Sequence, residues 1–246
     1  MSVPIAIIAD IHGNRWALEA VLRDIERRGI QQIFNLGDNL FGPLDPAGTA
    51  DLLIAHNIPG VSGNGDRELL APPAQPSASL LFTRKHVTSA HLEWLSSLPK
   101  TAIVADDLFL CHGTPSDDNT YLVETVTPAG DVFLRDTAAI VADVAGVEQS
   151  VILCGHSHQA RDIFLPPGKL IVNPGSVGLP AYTDDLPYPH PMQSGSPHAR
   201  YAILTKVDAG WQVEHVLVPY NWELAASIAR NHQRPDWAVW IATGRA

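Results

Sequence analysis

Seven side chains able to bind cations or move protons stand at the ends of apolar runs: Asp10, His12, Asp38, Asn64, His112, His156 and His158. Asp10 and His12 close the run Ile5-Ala6-Ile7-Ile8-Ala9, and two positions apart in extended chain they share a face and can reach one cation. Asp38 follows Gly37, Asn64 follows Gly63, His112 precedes Gly113, and His156-Ser157-His158 follows Gly155. Ligands in open α/β sheets collect at the carboxyl ends of strands, where this pattern puts all seven. Such a number of nitrogen and oxygen donors exceeds the needs of one ion, whereas two divalent ions sharing a carboxylate would use them all. The set contains no cysteine, which points away from structural zinc and suits Mn²⁺, Fe or Zn²⁺. One histidine at a strand end is ordinarily a hydrogen-bonded polar residue; the recurrence is what signals a site.

The elements that position these residues follow from the apolar pattern. After Asn14, a plausible cap, Trp16, Leu18, Val21, Leu22 and Ile25 form a helical stripe that stops at Gly29. A second strand over 32–36 completes a strand–helix–strand unit, the signature of parallel pairing. Asp45-Pro46 starts a helix to about His56, and 58–62 is expected as a third strand. Helices are expected over 80–86, 89–97 and 132–144, and again over 223–232, with a further turn through Trp237 and Trp240. Strand pairs are expected over 101–105 with 108–111 (turning at Asp106-Asp107), 163–165 with 170–172, and 200–206 with 211–218; 150–154 is a buried strand. Residues 117–130 carry little pattern. Residues 179–197, rich in Pro, Ser and Gly, form a loop long enough to suspect a lid. No repeat or linker divides the chain, so 1–246 is expected to be one domain.

Composition narrows the function. The 246 residues are 46% hydrophobic and 17% charged, a globular balance. The formal net charge of −10 argues against a surface built to hold nucleic-acid phosphates. Cys111 and Cys154 make no disulfide framework and suit buried apolar positions. The first apolar run ends at Asp10, too short for a membrane span, and it lacks a basic leader and cleavage site. The expected location is therefore cytoplasmic, with no membrane partner.

Asp10-Ile-His12, Gly37-Asp38, Gly63-Asn64, His112-Gly113 and Gly155-His156-Ser-His158 together resemble the calcineurin-like metallophosphoesterase family. They come in the family's order and span most of the chain. The small bacterial and archaeal phosphodiesterase branch is the nearest likeness, through Asn173-Pro-Gly-Ser-Val177 and His112-Gly-Thr-Pro115. The serine/threonine phosphatase branch carries Arg-Gly soon after Gly-Asp, which Gly37-Asp38-Asn39-Leu40 does not. The resemblance implies an α/β fold: two mixed sheets packed as a sandwich with helices on both outer faces. It also implies that Asp10, His12, Asp38 and His158 hold one metal, and Asp38, Asn64, His112 and His156 the other, with Asp38 bridging.

Two cations about 3.5–4 Å apart would clamp phosphoryl oxygens and activate a bridging water for in-line attack, so no protein nucleophile is needed. One departure stands out. The family usually carries His after the Asn of this motif, sometimes Cys, able to protonate the leaving group; here the position is Gly65. Arg67 is then a candidate charge stabiliser, and His190 and His198 are candidate proton donors that suit solvated loop positions better. Asn39, Asn64 and Arg67 are candidate contacts to substrate phosphate. The expected activity is hydrolysis of small, nucleotide-like phosphodiesters or phosphoanhydrides. A phosphomonoesterase or protein phosphatase is the alternative enzyme, and a non-catalytic scaffold, like the retromer subunit of related fold, is the alternative of another class.

Overall fold

The computed structural model describes residues 3–105 and 107–246. Two mixed sheets form the centre. In the first, β1 (Ile5–Ile8) lies parallel to β2 (Gln32–Asn35), with α1 (Arg15–Arg27) as the crossover. Asn14 caps α1, its side chain accepting from Ala17 N at 3.2 Å. On the other side β1 pairs antiparallel with β12 (Ala199–Val207), which pairs with β13 (Gly210–Val218). The second sheet has the order β3 (Ala102–Val104), β4 (Leu108–Leu110), β7 (Val151–Leu153), β9 (Lys169–Pro174), β8 (Ala160–Leu165). Asp106, expected in the turn between β3 and β4, lies outside the described residues.

The period-two alternation of β1 builds two cores at once. Ile5 and Ile7 pack between the sheets with Leu108, Leu110, Val151 and Leu153. Ala6 and Ile8 face outward onto Leu18, Val21 and Ile25 of α1. A buried isoleucine such as Ile7 is worth roughly 2–5 kcal/mol against alanine. The outer face of the second sheet packs Cys111, Ile152 and Cys154 against Ile140 and Val144. Both thiols are buried and free, and burial pushes the Cys111 thiol up to about 12. The sandwich with helices on both outer faces is thus the fold.

The remaining elements complete the fold. They are α2 (Pro46–Ala55), α3 (Asn64–Leu70), α4 (Ala78–His86), α5 (Ser89–Ser96), β5 (Glu124–Val126) paired with β6 (Val132–Leu134), and α6 (Thr137–Asp143). The hairpin β10 (Ala181–Asp184) and β11 (His190–Gln193) follows, and α7 (Trp222–Asn231) and α8 (Pro235–Thr243) close the chain. No helix among the described residues is long and apolar enough to cross a membrane.

Three expectations change. The strand expected over 58–62 shrinks to a bridge in which Asn35 alone pairs, its N–H donating to Pro59 O and its carbonyl accepting from Val61 N. Ser62 N then turns away to Pro99 O, so no ladder grows. The helix expected over 132–144 splits, because Asp136 caps a fresh start with its carboxylate on Ala138 N, leaving Val132-Phe133-Leu134 as a strand. The suspected lid over 179–197 is an ordered hairpin, with Ala181 opposite Gln193 and Asp184 opposite His190.

Candidate metal centre

The backbone around the site is held in an uncommon conformation. Asp10, His12, Asp38, His156 and His158 all have positive φ, from 53° to 68°. Non-glycine residues adopt this region rarely and at a cost of order 1–3 kcal/mol each, so the surroundings must hold them there. Loop-to-loop hydrogen bonds do so: Asp10 N donates to Gly37 O and His12 N to Asp38 O, each at 3.0 Å. From the other side, Ser176 Oγ and Gly178 N donate to Asp10 O at 2.7 and 3.0 Å. Asn173 Nδ2 reaches Gly155 O at 2.8 Å and Ser157 Oγ at 3.1 Å. The Asn173-Pro-Gly-Ser motif therefore ties the first strand's end to the Gly155–His158 loop.

Local glycines let the pieces close. A Cβ on Gly63 would fall on the Asp38 carboxylate, and one on Gly65 would lie 2.9 Å from Phe41 Cβ and 3.2 and 3.3 Å from the Asp38 oxygens. Gly65 N donates to Asp38 Oδ1 at 2.8 Å. The space beside Asp38 is thus closed by Phe41 rather than left open by the missing side chain.

The donor atoms converge. Asp10, His12 and His158 present ligand atoms within 4.8 Å of one another, and so do Asp10, Asp38 and His112. Asp38 Oδ2 lies 3.6 Å from His12 Nε2, while Oδ1 lies 3.5 Å from His112 Nε2. Asn64 Oδ1 meets His112 Nε2 at 3.0 Å. His156 belongs to neither triad; its ring stands 5.1 Å from that of His112, and its backbone N–H donates to Asp10 Oδ2 at 3.2 Å.

The tautomers make this set a cation's complement. His12, His112 and His158 each turn Nδ1 to a backbone carbonyl, of Phe41, Leu36 and Leu179 respectively. A carbonyl only accepts, so Nδ1 carries the proton and each Nε2 offers a lone pair. Two such lone pairs, on His12 and His158, face each other at 3.1 Å, and the buried Asp10 Oδ1 has no hydrogen-bond donor. Buried acceptors without donors are costly unless a cation lies between them. The residues fit divalent ions.

Electrostatics agree for His12 and His156, while His112 runs the other way. Burial opposes ionisation of Asp10, yet the imidazoles of His158, His112 and His12 hold it well below the usual carboxylate range. Burial lowers His12, and brings His156 down to about 4, so both are neutral, as ligands must be. Burial would also lower His112, but the Asp38 and Asp10 carboxylates outweigh it and raise it.

Four further candidate residues stand outside the two ligand groups. Arg67 is exposed and forms a bidentate pair with Asp118, at 2.8 and 2.9 Å, in a groove of about 310 Å³ that also reaches His112. Asn39 is wholly buried, its side chain committed to Asn35 and Asp66, and it does not line the cleft. His190 is buried against Tyr121 and Tyr188, and His198 lies against Trp222; neither lines the cleft. That cleft, of about 360 Å³, is lined by His12, Asp38, Asn64, His156 and His158, and also by Glu68, Tyr182, Trp237 and Trp240, which the sequence pattern did not single out.

Residues 3–188 match the calcineurin-like phosphoesterase superfamily domain, and the chain belongs to that metal-dependent superfamily. The protein MJ0912 of Methanocaldococcus jannaschii is 28% identical over 95% of this chain and 94% of its own. A metallophosphoesterase of Sphaerobacter thermophilus has a similar structure, with a TM-score of 0.75 at 24% identity, covering 99% of this chain and 100% of that one. The Pyrococcus horikoshii protein PH1004 follows at 0.74 and 20%, covering 98% of each.

Proposed function

We propose that this chain is a hydrolase of phosphodiesters or phosphoanhydrides working with two divalent ions, Mn²⁺, Fe or Zn²⁺ by the character of its donors. Asp10, His12, Asp38 and His158 would hold one ion, and Asp38, Asn64, His112 and His156 the other. Bound there, such ions polarise phosphoryl oxygens and lower the pKa of water toward neutrality. The chain's own part is to hold the donors in place. Carbonyl bonds at Nδ1 keep three imidazoles turned inward and basic, and Asp38 reaches both groups with its two oxygens. Gly65 can donate no side-chain proton, which favours leaving groups that depart as stable anions.

The observation that carries the diester reading is that two separate grooves meet at the ligand cluster. The cleft opens on His12, His156 and His158, while the groove of Arg67 and Asp118 opens on His112. A diester has two arms to place, one on each side of the phosphorus; a monoester has one. The same reading takes the chain as a single domain, since Trp237 of α8 packs edge-on to His12 with ring centroids 5.9 Å apart.

Metal analysis of the purified protein, with hydrolysis of bis-p-nitrophenyl phosphate beside p-nitrophenyl phosphate, tests this. About two ions per chain and faster diester cleavage are expected. Faster monoester cleavage would make it a phosphomonoesterase. Protein that binds no divalent ion and cleaves neither compound would be a scaffold.

A further inference from the structure

We propose that the cleft beside the metal ligands contains a subsite for a nucleobase, stacked on Trp240. The inference rests on the phosphoesterase reading and adds the class of group attached to the phosphorus. Its basis is that the reacting end and an aromatic wall share one cavity. His12, Asp38 and His158 line it together with Trp237, Trp240 and Tyr182.

The two tryptophans have different duties. Trp237 is 3% exposed, with its ring against Gly42, where even a Cβ would come within 2.9–3.0 Å of it. It is a fixed part of the wall. Trp240 is only half-buried, braced by Trp237 at a centroid distance of 6.1 Å, and it lines the cleft. A large indole surface held rigid on one side and left open among polar residues suits a flat ring, because stacking gains need no further ordering of the side chain.

Charge separates a base from a polyphosphate tail. Arg234 alone among the lining residues is a Lys or Arg, and Asp236 holds it at 2.6 Å. Glu68 and Asp184 line the same cavity. Beyond the metal ligands, therefore, the cleft offers little to further phosphates and a good surface to an uncharged heteroaromatic ring. Its volume of about 360 Å³ is at the small end of the roughly 300–1,000 Å³ of small-molecule sites, enough for a nucleotide-sized group. The superfamily match ends at residue 188, and Trp237 and Trp240 lie beyond it, on α8.

The test is calorimetric binding of AMP and of ribose 5-phosphate to metal-loaded protein, and of adenosine to chelated protein. Wild type, Trp240→Ala and Trp240→Phe are compared, with thermal melting to check folding. Base stacking predicts that AMP binds between about five- and 100-fold tighter than ribose 5-phosphate. Trp240→Ala should abolish that preference and Trp240→Phe should keep most of it. Adenosine should bind wild type even without metal. Adenosine binding in a protein that cleaves no phosphoester would support the subsite while sinking the phosphoesterase reading. Equal binding of AMP and ribose 5-phosphate by wild type, or a preference that survives Trp240→Ala, would overturn the subsite and leave cleavage of bis-p-nitrophenyl phosphate untouched.

Discussion

Asn39 grips Asp66 at both ends of its carboxylate: Asn39 N donates to Oδ1 at 2.9 Å and Asn39 Nδ2 to Oδ2 at 2.8 Å. Gly63 N adds a third donor to Oδ2 at 3.0 Å. The pair is buried beneath the ligand cluster and ties the loop after β2 to the first turn of α3, which carries Asn64. Burial, with the nearby Asp38 charge, lifts Asp66 to about 6, so it is mostly ionised at neutral pH.

Asp66→Asn should therefore destabilise the protein without removing any proposed ligand. The amide can offer one oxygen to the three donors, leaving at least one donor facing an NH₂ group. An unsatisfied buried group of this kind costs about 1–3 kcal/mol. The expected result is a lower denaturant midpoint and weaker metal retention. An unchanged midpoint with full metal content would show that the network does not hold the site.

Asp38→Asn removes a charge from between the two ligand groups, since its oxygens face His12 and His112 separately. Metal content and turnover should both fall by orders of magnitude, because in the proposed site this carboxylate would set the separation of the pair. Elemental analysis of the variant decides it: two retained ions with near-normal rates would refute the bridge.

How much of this was legible in the sequence depends on distance along the chain. The strand ends were legible, because an apolar run that stops at Asp or His announces itself locally. Helix α3 was hidden, since Gly63-Asn64-Gly65-Asp66 looks like a continuing polar loop; the one signal was an acid three residues after a cap position, ahead of Leu69-Leu70. Asn39 was misleading for a backbone reason. The left-handed turn at Asp38, φ 53°, sends the next side chain inward to Asn35 and Asp66 and not to the cleft. Trp237 and Trp240 were visible as a helical turn, but their return to His12, over two hundred positions away in sequence, is a matter of tertiary packing.

Stability of the metal-free protein should fall as pH drops from 6.5 to 4. Burial, and then the neighbouring His112, lower His156 from 6.5 to about 4 in the folded state. Between those values the unfolded chain binds the proton and the folded chain does not, so the unfolded state gains. The full effect is at most about 3 kcal/mol, complete once pH is below 4. His156→Gln removes this group and leaves the others, so the difference between the two urea-midpoint profiles isolates it. Parallel profiles under chelation would show that His156 titrates normally.

General acid catalysis is worth about 10²–10⁴-fold, mostly for poor leaving groups such as alkoxides, and Gly65 cannot provide it. Aryl esters and phosphoanhydrides leave as stable anions and need it least. Rates across diesters of graded leaving-group acidity, at fixed metal and pH, should therefore depend steeply on that acidity. Introducing a histidine at position 65 is a poor complement to this test. Its Cβ would press on Phe41 at 2.9 Å and on Asp38 at 3.2 Å, disturbing the carboxylate at the centre of the proposed site. The cleaner probe is Glu68, one helical turn beyond Gly65, half-buried in the cleft, with its carboxyl raised above the usual range by burial. If wild type shows the steep dependence, Glu68→Gln should leave that steepness unchanged. If alkyl and aryl diesters are cleaved at equal rates, another group supplies the proton and the Gly65 argument is lost. Steepness gained on Glu68→Gln would then identify Glu68 as that group.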